Sequence, residues 1–135
     1  MRIRAFFFGL LILSGCSIVN NQTSVTSVSA VNLGKKITIE GWAVNCKTGA
    51  QLIGTDFDLW IDGLSSWPEG YYTGGEKGKR LRVVGILTED NGVPVFIPKS
   101  DEPIVQGIPV LEGTDLRKAS HRYILKDANW ELIRK

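Results

Sequence analysis

From about residue 35 onward, apolar and polar positions alternate at period two and hardly anywhere at the period of a helix, so the chain reads as a run of short strands. The first covers residues 35–47. Ile37 and Ile39 take its odd positions and Trp42, Val44 and Cys46 its even ones, with Gly41 between. Successive side chains on a strand face opposite ways, so both sets reach one face only if an extra residue is absorbed, and Gly41 is expected to be a β-bulge. Phe57, Leu59 and Ile61 alternate with Asp58, Trp60 and Asp62, giving a second, half-buried strand with an aromatic between two carboxylates on its other face. A third strand covers residues 79–89, with Leu81, Val83 and Leu87 in phase. Asn91-Gly92 then predicts a tight hairpin into Val93, Val95 and Ile97. Pro94 and Pro98 cannot donate ladder hydrogen bonds, which puts that return strand at an edge. Residues 99–120 read as loop with one short helical turn near residues 115–119. The closing strand carries Tyr123 and Leu125, a change of phase at residues 127–129, then Trp130 and Leu132.

Upstream of this domain the pattern changes twice. Residues 1–15 have the parts of an export signal: basic Arg2 and Arg4, an apolar stretch to Leu13, and small Ser14 and Gly15. The apolar run is about half of the roughly 20 residues a spanning helix needs. Leu13-Ser14-Gly15-Cys16 resembles the bacterial lipobox. The resemblance implies that Cys16 is acylated and becomes the mature N-terminus, anchored to membrane by several acyl chains. Ser17, where retained inner-membrane lipoproteins often have Asp, points the same resemblance towards the outer membrane, facing the periplasm. Residues 16–32 comprise the lipidated N-terminus and a charge-free Ser/Thr/Asn-rich stretch, read as a flexible linker, with a weak edge strand around Val25 and Val31 as the alternative. Residues 33–135 are then the folded domain.

The order of strands, with a long first strand, Leu-Arg-Val-Val-Gly-Ile-Leu in the third and a closing Tyr-x-Leu followed by Ala-Asn-Trp-Glu-Leu-Ile, resembles the oligonucleotide/oligosaccharide-binding (OB) domains of bacterial envelope proteins. The resemblance implies an all-β fold, a small five-stranded OB-like barrel after a signal peptide and linker. The helix usual between the third and fourth strands of that fold is not evident, and the pattern itself leaves an SH3-like barrel or small sandwich open. None of these folds fixes a function.

Charge and cysteine content narrow the function. The chain has 16 Lys and Arg against 14 Asp and Glu. Loss of Arg2 and Arg4 with the leader leaves the mature chain formally neutral, which argues against nucleic acid as a partner. Lipidation of Cys16 leaves Cys46 without a cysteine to pair with, either as a small apolar side chain or as a thiol open to a partner. With His121 the one histidine, neither a Cys/His metal site nor a Cys/His catalytic pair is expected, and no cofactor is implied. Hydrolase, metalloprotease and phosphate-loop spacings are missing. Asp56, Asp58 and Asp62 lack the further ligands of a calcium loop. Asp58 and Asp62 share a strand face as paired carboxylates do in glycosidases, but strand surfaces carry such acids routinely.

The conspicuous segment is residues 60–72, which gathers Trp60, Trp67, Tyr71 and Tyr72 among acids and glycines. Trp and Tyr are the residues of binding hot spots. Trp60, Trp67, Tyr71 and Tyr72, with Asp58 and Asp62, are the candidate binding residues; the alternative for Trp67, with Pro68 beside it, is a plug for the open end of the barrel that leaves Trp60, Tyr71 and Tyr72 partly exposed. A lipid-anchored, non-enzymatic protein that binds a protein partner, of immunity, inhibitor or assembly-accessory type, is the first expectation. A glycan- or small-ligand-binding module is the alternative.

Overall fold

The computed structural model describes residues 22–103 and 105–134. The signal peptide, the lipobox with Cys16 and the first part of the expected linker lie outside them. Among the described residues the strands are β1 (Thr23–Ser24), β2 (Lys36–Cys46), β3 (Gly49–Ile53), β4 (Asp58–Ile61), β5 (Arg80–Asp90), β6 (Val95–Phe96), β7 (Ile108–Pro109) and β8 (Arg122–Leu132), with one helical turn, α1 (Leu116–Ala119). The main sheet runs β1-β2-β3-β4-β8-β5, and β5 pairs again with β2. Five strands therefore close into a barrel, all antiparallel except the β4–β8 pair. This closed order is that of an OB-like barrel. Ile37, Ile39, Leu52, Leu59, Leu81, Val83, Leu87 and Leu125 fill it, each almost completely removed from solvent.

The barrel has five strands, but not the five that alternation picks out. β3 is short and built partly of small residues, so its inward Ala50 and Leu52 leave a faint pattern. Its hairpin with β2 turns at Lys47-Thr48, and Gly49 takes the positive φ of 126° just beyond. The expected return strand at residues 93–97 is not in the barrel. Both edges of β5 are already occupied, by β2 and β8, and no hairpin forms at Asn91-Gly92. Instead the Asp90 carboxylate accepts the Gly92 N–H, and β6 pairs with β7 in a separate two-stranded parallel sheet.

Gly41 is not a bulge. Register is continuous from Lys36↔Ile86 to Trp42↔Arg80 and on to Cys46↔Gly49. Ile37, Ile39, Gly41 and Ala43 all face inward, leaving Trp42 on the outer face. Glycine is required because β2 passes here from β5 to β3: a Cβ would lie 2.8 Å from the Ile53 carbonyl oxygen and 2.9 Å from Leu52 Cγ. The small inward residues Gly41 and Ala43 had let the bulk of Trp42 and Val44 set the apparent phase. The expected phase change in β8 is real: Val84↔Asn129 is followed by Ile86↔Lys126, with the extra residue accommodated at Asp127, whose φ is 50°.

The N-terminal boundary of the folded unit also shifts. Thr23–Ser24 pairs in parallel with β2, the Val25 N–H donates to the Thr38 carbonyl, and Val25, Val28 and Leu33 pack on the core. Residues 23–25 thus take the edge-strand alternative to the expected spacer, and Val28 also packs on the core, while Val31 stays exposed. The hydrophobic side chains spaced through this polar stretch supply the contact that composition alone had discounted.

Candidate functional site

β4 places the site. Its Leu59 and Ile61 are buried, so Asp58, Trp60 and Asp62 stand on the outer face. Trp60 is opposite Ile124 of β8, and period-two alternation brings Arg122 to the same face. The Arg122 guanidinium lies over the Trp60 ring, 5.7 Å from its centroid. Two hydrogen bonds to Asp90, at 2.7 and 3.3 Å, fix its orientation. The indole N–H of Trp60 donates to Thr48 Oγ1 at 3.1 Å. Trp60, Asp62, Arg122, Lys47, Thr48 and Ser65 line one open groove of about 360 Å³.

Asp90 links this arrangement to pH. Its hydrogen bonds to Arg122, with a lesser contribution from the Gly92 N–H, hold its carboxyl below the usual carboxylate range despite partial burial. A depressed carboxyl stabilises the folded arrangement above its unfolded pKa of about 3.9, and that contribution is lost as pH falls through the folded value. Acidification through this depressed folded value, below the usual carboxylate range, is therefore expected to free Arg122 from Asp90. In a two-dimensional NMR titration the Trp60 indole resonance should move over that window, and Asp90→Asn should abolish the movement. An unchanged titration in that variant would remove Asp90 as the holder of Arg122.

The other expected residues are placed apart. Trp67 is 3 % exposed: its indole N–H donates to the Gln51 carbonyl at 2.7 Å and its backbone N–H to Asn45 Oδ1 at 2.7 Å. Trp130 meets it edge-on, and Tyr71 stacks against it at 6.4 Å. It belongs to the core, closing the barrel in the helix-free segment between β4 and β5. Tyr72 donates its hydroxyl to the Gly75 carbonyl at 2.6 Å. Neither tyrosine lines the Trp60 groove. The candidate aromatics thus divide into a surface residue on β4 and a loop that closes the barrel.

Asp58 is also outside the groove, so the two carboxylates of β4 do not converge on it. Burial, and then the Asp58 charge, push the Cys46 thiol above its ordinary value, and Cys46 Sγ donates to Gln51 Oε1 at 3.1 Å. Those surroundings favour the neutral thiol. Among the described residues no group of three or more His, Cys, Asp or Glu is placed to hold a metal ion. Sequence reasoning missed Arg122, Thr48 and Asp90, because the β4–β8 register brings Arg122 to Trp60, the β3–β4 pairing after the β2–β3 turn brings Thr48, and Asp90 acts through Arg122.

Comparison of the chain with protein-family models, with curated proteins and with solved structures gives no match.

Proposed function

We propose that this is a lipid-anchored, non-enzymatic binding protein of the bacterial cell envelope, held to membrane through Cys16 and docking a protein partner at the surface around Trp60. The observation that carries the reading is the Trp60–Arg122 pair, an aromatic and a guanidinium held in one orientation by Thr48 and Asp90. Trp and Arg are enriched among residues that dominate protein interfaces, and fixing them beforehand removes part of the entropy cost of docking. Asp62 lines the groove together with Lys47 and Arg122, so the surface offers a partner both signs of charge. Outer-membrane location and a periplasmic partner follow from the lipobox resemblance.

Glycan binding is the second reading, supported by the groove with Trp60 and Asp62 together. It is disfavoured because Arg122 lies over the ring where a sugar face would stack. Photo-crosslinking in growing cells separates the two. A benzophenone side chain at position 62 is expected to capture a discrete protein, and the capture to disappear in Trp60→Ala. Absence of a protein adduct, with retention of the purified protein on envelope glycan that Trp60→Ala abolishes, would reverse the order of the two readings.

A further inference from the structure

The outer face of the opposite part of the barrel carries a different chemistry. On β2 the outward positions include Lys36, Glu40 and Trp42, and on β5 Arg80 and Arg82. Register places Lys126 of β8 beside Ile86, opposite Lys36. Lys77 Nζ lies 4.1 Å from the centroid of the Trp42 ring, and the Arg80 guanidinium 5.5 Å from it. Glu40 pairs with both Arg80 and Arg82, and Glu131 with Arg82. Five cations, Lys36, Lys77, Arg80, Arg82 and Lys126, thus stand here with the paired carboxylates Glu40 and Glu131. Glu76 and Asp127 flank Lys77 and Lys126 in the chain, which leaves a small cationic excess on a mature chain that is neutral as a whole. Asp62, just past the end of β4, instead lines the groove of Trp60.

The chain enters the domain at this same wall. Gln22 hydrogen-bonds Thr38 and shares a groove with Arg82, Trp130 and Glu131. Ser24, Val25 and Thr26 share the adjoining groove, about 280 Å³, with Trp42, Arg80 and Arg82. Pairing of β1 leaves six Cα steps from Cys16 to Gln22, and an extended chain covers at most about 3.6 Å per step. A lipid on Cys16 thus holds Gln22, where the chain meets this wall, within about 22 Å of the bilayer, whatever path the intervening residues take.

We propose that the β2–β5 wall is the membrane-facing side of the domain, with Lys77 and Arg80 contacting anionic phospholipid headgroups and Trp42 at the headgroup level. Tryptophan with flanking cations is suited to that interface, and juxtamembrane cations are drawn to anionic lipid. The proposal rests on acylation of Cys16. It also orients the molecule: the basic wall faces the bilayer and the Trp60 groove, on other strands, stays open to the periplasm.

The test uses the mature full chain purified from a bacterial host. Intact mass first establishes whether Cys16 is acylated. The protein is then placed in nanodiscs whose chains are brominated close to the glycerol, made of phosphatidylcholine alone or of an equal mixture with phosphatidylglycerol. Indole emission should be quenched more in the mixture, and the difference lost in Trp42→Phe and in Lys77→Gln/Arg80→Gln. The double variant replaces exposed side chains and keeps Trp42, so it remains informative if Trp42→Phe folds poorly. Acylated protein whose emission ignores the bromines, or whose quenching survives both variants, would overturn the membrane-facing wall and leave the tether standing. A mass without acyl chains would remove the tether and the proposal with it.

Discussion

Trp67→Ala should lower the unfolding free energy of the domain by about 3–5 kcal/mol, the range for removing a large aromatic from a packed core. Trp67 lies in a loop, yet it is as buried as the strand residues and joins three separate parts of the chain. Its indole N–H donates to Gln51 on β3, its backbone N–H to Asn45 on β2, and its ring packs edge-on against Trp130 of β8. Alanine leaves a cavity at the barrel end and takes from the Gln51 carbonyl the donor it has here. Trp67→Phe, which keeps much of the apolar volume but loses that donor, should cost less, about 1–3 kcal/mol. Urea unfolding followed by far-ultraviolet circular dichroism measures both. Equal, small losses would mean that the loop does not close the barrel.

Gly78→Ala should have the next largest effect, and for a backbone reason. The segment between β4 and β5 returns to β2 through two bonds, Gly78 N–H to the Ala43 carbonyl and Ala43 N–H to the Lys79 carbonyl, and is closed on itself by Lys79 N–H to the Tyr71 carbonyl. A Cβ at position 78 would press on the Tyr71 carbonyl oxygen and lie 2.6 Å from that of Ala43. Both obstacles are main chain and cannot rotate away, so the segment must move off β2 and loosen the stack of Tyr71 on Trp67. Strain of this kind costs typically about 1–3 kcal/mol. Thr73→Ala, at an exposed position in the same loop, should stay within about 0.5 kcal/mol of the parent. Chemical denaturation midpoints of the two variants give the comparison, and an unaffected Gly78→Ala would contradict the placement of residues 71–79 against β2.

The parts of the fold legible in the sequence are those where large apolar side chains alternate without interruption. β4, β5 and β8 show it in Leu59 and Ile61, in Leu81, Val83 and Leu87, and in Tyr123 and Leu125. The phase change before Trp130 identified the bulge at Asp127. The short helical turn was readable from its start, where the Asp115 carboxylate accepts the Arg117 and Lys118 N–H groups. Where inward positions hold small residues the signal fails: Gly41 and Ala43 on β2, Ala50 on β3. The Asn-Gly pair after β5 misled for a different reason. A hairpin needs a free strand edge, and whether β5 has one depends on pairing with β2 and β8, tens of residues away.

The site shows the same division. Trp60 and Asp62 are two residues apart and line one groove, so their association was readable from the alternation. For Trp67 the sequence left a plug and a binding residue both open, and its burial in the core decides for the plug. That Tyr71 and Tyr72 serve the loop and not the groove depends on where Trp67 inserts. Arg122 gains its place over Trp60 through parallel pairing of β4 with β8 and through Asp90, a constellation that no local spacing encodes.

The central claim, that the Trp60–Arg122 surface binds a protein, is tested most directly by titrating the partner captured from position 62, purified, into the parent protein, Trp60→Ala and Arg122→Ala by isothermal calorimetry. The account predicts a one-to-one complex whose affinity falls by about 30-fold or more in Trp60→Ala, the roughly 2 kcal/mol of a hot-spot residue, with a comparable loss in Arg122→Ala. Affinities unchanged by both substitutions, in variants that unfold like the parent, would contradict it.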